Sequence, residues 1–126
     1  EEVLKEADYV SLHMKLTEET ADFINADTIS LMKSTAILIN TARGGLIDEK
    51  ALYNALKENR IAGAALDVLK EEPPGADNPL LKLDNITLFP HICGMTKEIN
   101  ARGSAWIIED ILRFIRGEEL LRPLYR

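Results

Sequence analysis

Ala36-Ile37-Leu38-Ile39-Asn40-Thr41-Ala42-Arg43-Gly44-Gly45-Leu46-Ile47-Asp48-Glu49-Lys50 is the stretch on which the reading of the fold turns. Ala36 to Asn40 is short and apolar on both faces, as a strand covered by helices on both sides must be. Paired glycines then let the backbone turn sharply and approach a neighbour or ligand closely. Asp48 stands at a helix start, where acidic groups suit the positive end of the helix dipole. Ala51, Leu52, Ala55 and Leu56 give that helix one apolar face. Strand, glycine turn and amphipathic helix together form a βα unit.

The alternation continues on both sides. Tyr9–His13, Ile61–Asp67 and Ile86–Phe89 read as further strands. Asp27 is placed to cap a short helix running through Met32. Thr96 opens the longest helix and Gly117 is placed to close it. The stripe Ile107, Ile108, Ile111, Leu112 and Ile115 predicts that this helix faces something apolar. Strands alternating with helices imply an α/β fold, with a parallel sheet and right-handed crossovers.

At 126 residues the chain fits one domain, and 46% apolar composition supplies a core. A net charge of -6 argues against nucleic-acid binding, which needs clustered Lys and Arg. No apolar run is long enough to span a bilayer, and no basic-then-apolar leader opens the chain. The single cysteine, Cys93, excludes an intrachain disulfide and fits a reducing cytoplasm.

Polar residues gather at the ends of the strands. His13, Arg43, Asp67 and His91 lie at or just beyond them, and Glu72 follows Asp67 in the Pro-rich loop 71–79. All carboxyl ends of a parallel sheet share one edge, where open α/β sheets place their sites. An Arg beside two glycines can grip a planar carboxylate with two hydrogen bonds. Taken alone, it reads more readily as half of a surface ion pair, since such pairs are common. His91 can move a proton near neutral pH, or can be a hydrogen-bonded structural residue. Glu72 can hold that imidazole protonated, or be a solvated acid beside Glu71. On one edge, an Arg, a Glu and a His suit reduction of a 2-oxo acid.

These residues carry a resemblance. Val10-Ser11-Leu12-His13, Ile39-Asn40-Thr41-Ala42-Arg43-Gly44-Gly45-Leu46-Ile47-Asp48-Glu49, Gly63-Ala64-Ala65-Leu66-Asp67-Val68 with Glu71-Glu72-Pro73, Pro90-His91-Ile92-Cys93-Gly94 and Thr96-Lys97-Glu98 together resemble the D-isomer-specific 2-hydroxyacid dehydrogenases. The resemblance spans nearly the whole chain, in family order and spacing. It implies the second half of a Rossmann-like doubly wound sheet and the interconversion of a D-2-hydroxy acid and a 2-oxo acid, with NAD as cofactor and NADP as the alternative. It implies that Arg43 binds the substrate carboxylate, that His91 is the acid/base, and that Glu72 pairs with it. Asp67 matches the acid near the nicotinamide carboxamide, and Thr41, Ala42 and Gly94 match cofactor-lining backbone. His13 and Met14 fall where the family also contacts cofactor, although Lys15 replaces the usual proline. Cys93 stands where the family often has Gly or Ala and reads as a small buried filler.

The sequence holds no Gly-x-Gly-x-x-Gly, the turn that cradles a dinucleotide pyrophosphate. The expectation is therefore a partial NAD-binding domain, residues 1–126, without the glycine-rich half or the substrate domain. Leu120–Arg126 then reads as the segment returning toward that second domain. A homo-oligomer, a dimer, is expected, with self-association through the open Tyr9–His13 edge or the Thr96–Arg116 helix. Two other readings share the motifs: an NAD-responsive corepressor-like binding protein, and an inert fragment acting only in assembly. A metal site from His13, Asp67 and His91 matches no compact ligand spacing, so none is expected.

Overall fold

The four apolar runs become four short parallel strands in a computed structural model that describes residues 1–123. In chain order the elements are α1 (Glu2–Glu6), β1 (Tyr9–Leu12), α2 (Ala26–Leu31), β2 (Ile37–Asn40), α3 (Glu49–Lys57), β3 (Gly63–Leu66), β4 (Ile86–Leu88) and α4 (Lys97–Ile115). Short 3-10 turns occupy Gly44–Leu46 and Pro79–Lys82. The expected strands appear in the expected order, but the crossover from β3 to β4 holds only the Pro79–Lys82 3-10 turn in place of an α-helix; the sheet runs β1-β2-β3-β4 with every pair parallel. The chain divides into two compact units, Glu1–Ile92 and Cys93–Arg126.

Register decides which side chains form the core of the first unit. Val10, Leu38, Ala64 and Ile86 stand abreast, as do Leu12, Asn40, Leu66 and Leu88. Side chains alternate faces along a strand, so these two rows share one face. That face packs into a cluster with Leu4 of α1, Ile29 of α2 and Leu52, Ala55 and Leu56 of α3. Each such fully buried aliphatic side chain stabilises the fold by about 1.5–3 kcal/mol. The alternate positions fare differently: Tyr9 and Ser11 are exposed, and Ile37, Ile39 and Ala65 are half-buried. Burial on both faces, expected for several of the strands, is strongest in β3, whereas β1 is buried on one face only.

Two helix starts differ in detail from expectation. Asn25, not Asp27, caps α2: its Oδ1 accepts the Asp27 and Thr28 N–H groups, and Thr28 Oγ1 accepts the Asn25 N–H. A cap oxygen must reach back to the second and third helical N–H groups, and Asp27 is itself the second helical residue. Asp48 caps α3 as expected, accepting from Lys50 and Ala51.

In the second unit Thr96 caps α4, and Gly117, at φ +69°, ends it while the Glu118 N–H returns to Arg113 O. The stripe Ile107, Ile108, Ile111, Leu112 and Ile115 is exposed, against the expectation of an apolar cover. The described part of Leu120–Arg126 folds back along α4. Arg122 stacks over Trp106 and pairs with Glu109, and the Leu121 N–H reaches Asp110. Leu124, Tyr125 and Arg126 lie outside the described residues. Cys93 is exposed, which corrects its reading as a buried filler. Among the described residues no helix is long and apolar enough to cross a membrane.

Candidate active site

The carboxyl end of β2 is shaped by one buried polar residue. Asn40 is fully buried; its Nδ2 donates to Arg43 O at 2.9 Å and its Oδ1 accepts the Ala42 N–H at 3.0 Å. These bonds set the Thr41–Arg43 turn. Gly44 then passes directly against the backbone of Leu69, where any Cβ would collide with the Leu69 carbonyl. Arg43 is exposed, and its Nη1 donates to Ala42 O at 2.6 Å. Among the described residues no carboxylate pairs with it, which removes the surface ion-pair reading.

The ends of β3 and β4 meet beside this turn. Asp67, just after β3, is buried and accepts the Ile92 N–H at 2.9 Å through Oδ1. The next loop carries Glu72, whose Oε1 accepts the Leu69 N–H at 2.9 Å while Oε2 meets His91 Nδ1 at 2.7 Å. The His91 contact first, and the Leu69 N–H second, hold the Glu72 carboxyl below its ordinary value. His91 sits at φ +55°, a left-handed conformation that costs a non-glycine residue about 1–2 kcal/mol. Bonds on either side, from Glu72 to its ring and from Asp67 to the next N–H, hold it there. With Nδ1 occupied by Glu72, Nε2 is the ring atom placed to exchange a proton.

Arg43, Glu72 and His91 line one cleft of about 380 Å³, together with Gly44, Gly45 and Leu69. A second, more apolar cleft of about 460 Å³ shares Glu72 and His91 and runs past Pro73, Leu81 and Phe89. Thr41 is exposed and Ala42 half-buried at the same strand end as Arg43. His13 lies beyond β1, its Nε2 at 2.8 Å from Ser11 Oγ. Met14 is half-buried and packs against the core. Gly94 belongs to the second unit, where its carbonyl accepts the Thr96 N–H. Among the described residues no three His, Cys, Asp or Glu side chains gather as metal ligands.

A family model described as D-isomer specific 2-hydroxyacid dehydrogenase, NAD binding domain, matches residues 1–93. The chain belongs to this family. It is 50% identical to a glyoxylate reductase of Korarchaeum cryptofilum, over 94% of this chain and 36% of that protein. It is 51% identical to a D-3-phosphoglycerate dehydrogenase of Methanocaldococcus jannaschii, over 93% of this chain and 22% of that one. A crystal structure of D-lactate dehydrogenase with NAD+ from Lactobacillus jensenii superposes with a TM-score of 0.91 at 34% identity, covering 99% of this chain and 42% of that one. The chain thus spans well under half the length of these relatives.

Within this dehydrogenase domain, residues with no strong motif of their own also build the site. Asn40 was legible only as a polar residue in a row that register buries. Glu49 reads from sequence as a helix-dipole acid, yet its Oε1 accepts the Lys70 N–H across the cleft wall.

Proposed function

We propose that the chain is the catalytic-edge half of the nucleotide-binding domain of an NAD-dependent D-2-hydroxyacid dehydrogenase. The glycine-rich loop and substrate domain of the intact enzyme would lie outside these 126 residues. The observation that carries the reading is the convergence of Arg43, Glu72 and His91 on one cleft. The donor set fits a nicotinamide cofactor: a buried carboxylate, Asp67, for the carboxamide, and the strand-end backbone of Thr41 and Ala42 for the adjoining atoms. His13 and Met14 are the further cofactor contacts we assign. When bound, NAD supplies or accepts the hydride.

The protein residues supply grip and proton. Arg43 takes the substrate carboxylate in its planar fork. His91, oriented by Glu72 through Nδ1, gives a proton from Nε2 to the carbonyl oxygen as negative charge develops there. In the hydroxy-acid direction the same ring accepts the proton. The substrates are small 2-oxo and 2-hydroxy acids, and the working form is a cytoplasmic homodimer.

In a full-length dehydrogenase carrying this domain, His91→Ala should lower kcat/KM for 2-oxo-acid reduction by ~10²-fold or more, as expected for a lost general acid. Arg43→Lys should chiefly raise KM, because an ammonium cannot reproduce the two parallel hydrogen bonds. Near-normal kcat/KM in His91→Ala would overturn the assignment. Turnover by the unaltered enzyme separates it from an NAD-responsive corepressor.

A further inference from the structure

The loop carrying Glu72 is tied to the Arg43 turn by contacts outside the Arg43, Glu72 and His91 set. Glu49, first residue of α3, accepts the Lys70 N–H through Oε1 at 2.6 Å. Lys70 Nζ reaches Asp22 Oδ1 at 2.6 Å, and the Asp22 N–H donates to Gly45 O at 2.9 Å. Between these bonds the Gly44 backbone lies against Leu69 with no room for a side chain. Leu69 is also the residue whose N–H holds Glu72. The Glu49 carboxylate therefore grips the loop one peptide away from the anchor of the general acid's partner.

The contacts differ in strength. The Lys70–Asp22 pair is half exposed, at 41% and 49%, and such pairs contribute little. A carboxylate accepting a backbone N–H at 2.6 Å is a charge-assisted bond that orders only one side chain. A glutamate in the first turn ordinarily serves its own helix dipole. Here the side chain turns instead to a backbone N–H 21 residues farther along the chain.

We propose that Glu49 is a positioning residue: it clasps the Glu72 loop to the Arg43 turn, so that the carboxylate grip and the Glu72–His91 pair are held as one preassembled unit. The proposal rests on the roles given above to those three residues. Catalysis by orientation needs such support, since small displacements of reacting groups cost rate steeply.

Nuclear magnetic resonance of the 126-residue chain tests it by comparing Glu49→Ala with Glu49→Gln. Glutamine keeps an oxygen acceptor and loses the charge. In Glu49→Ala the Lys70 amide should exchange about tenfold faster, as expected when a hydrogen bond to a charged group is lost. The His91 Nδ1 signal should move toward its position in Glu72→Ala. Glu49→Gln should restore both signals largely to those of the parent. Equal effects of Ala and Gln would show a dipole role and overturn the clasp, as would parent-like Lys70 and His91 signals in Glu49→Ala. Should Glu49→Ala fail to fold, displaced Lys70 and His91 signals in a folded Glu49→Gln would overturn it, and parent-like ones are the expected result. These signals involve no substrate or cofactor, so they fail or succeed separately from the His91→Ala activity assay.

Discussion

Glu72 is the residue whose chemistry the structure defines most sharply. Its carboxyl titrates below the ordinary glutamate range, first because of His91 and then because of the Leu69 N–H. A lowered folded-state value means that the stabilisation from this carboxylate is complete above the ordinary range and is lost as pH falls through the lowered value. Carbon-13 titration of the Glu72 carboxyl should therefore show its midpoint rising in His91→Ala; a midpoint that stays put would mean His91 is not the main cause. In full-length enzyme, Glu72→Gln removes the carboxylate that orients the His91 ring through Nδ1, so kcat for 2-oxo-acid reduction should fall. A parent-like kcat counts against the pair. Gly44 makes a third prediction at this scale. Gly44→Ala drives a Cβ into the Leu69 backbone and should cost about 1–3 kcal/mol in urea denaturation. Gly45→Ala meets only the Leu16 side chain, which can rotate aside, so its loss should be smaller. Arg43, Glu72 and His91 were legible because their neighbours form motifs. Asn40 and Glu49 were not, because each acts on a backbone group that only folding brings within reach.

Among the elements, helix starts show how far local sequence reaches. Asp48 was readable as the α3 cap, since the apolar face begins immediately after it. At α2 the sequence pointed to Asp27, and the reciprocal bonds of Asn25 and Thr28 put the cap two residues earlier. Asn25→Ala should lower stability by ~1 kcal/mol, the usual worth of a cap. Asp27→Ala should cost less, removing only an exposed first-turn charge. Equal losses, measured by urea denaturation, would mean that the reciprocal bonds do not matter in solution. The α4 stripe marks the opposite case. Its period of Ile107, Ile108, Ile111, Leu112 and Ile115 made the helix legible, while a period states only which residues share a face, not what covers them.

For the whole molecule, β2 is an inner strand of the sheet, paired on both sides. Leu38 is fully buried between β1 and β3, so Leu38→Ala should destabilise the fold by about 2–5 kcal/mol, read as a lower denaturation midpoint. The 126-residue chain, lacking a Gly-x-Gly-x-x-Gly turn, should bind NAD weakly, because backbone N–H groups of such a turn carry the pyrophosphate contacts. It should also self-associate, since β1 lies at the edge of the described sheet with Tyr9 exposed, and unpaired edges recruit further chains. Titration calorimetry and light scattering test the two parts; micromolar NAD binding by a clean monomer would contradict both. The sequence by itself determined the order of the strands and the parallel sheet. These follow from apolar period, turn glycines and crossover handedness, all properties of neighbouring residues. Only the tertiary structure decided that β1 is covered on one face, that His91 is held left-handed, and that Glu49 reaches Lys70. Those outcomes depend on contacts between segments distant in sequence, whose geometry is set when register brings the strand ends together.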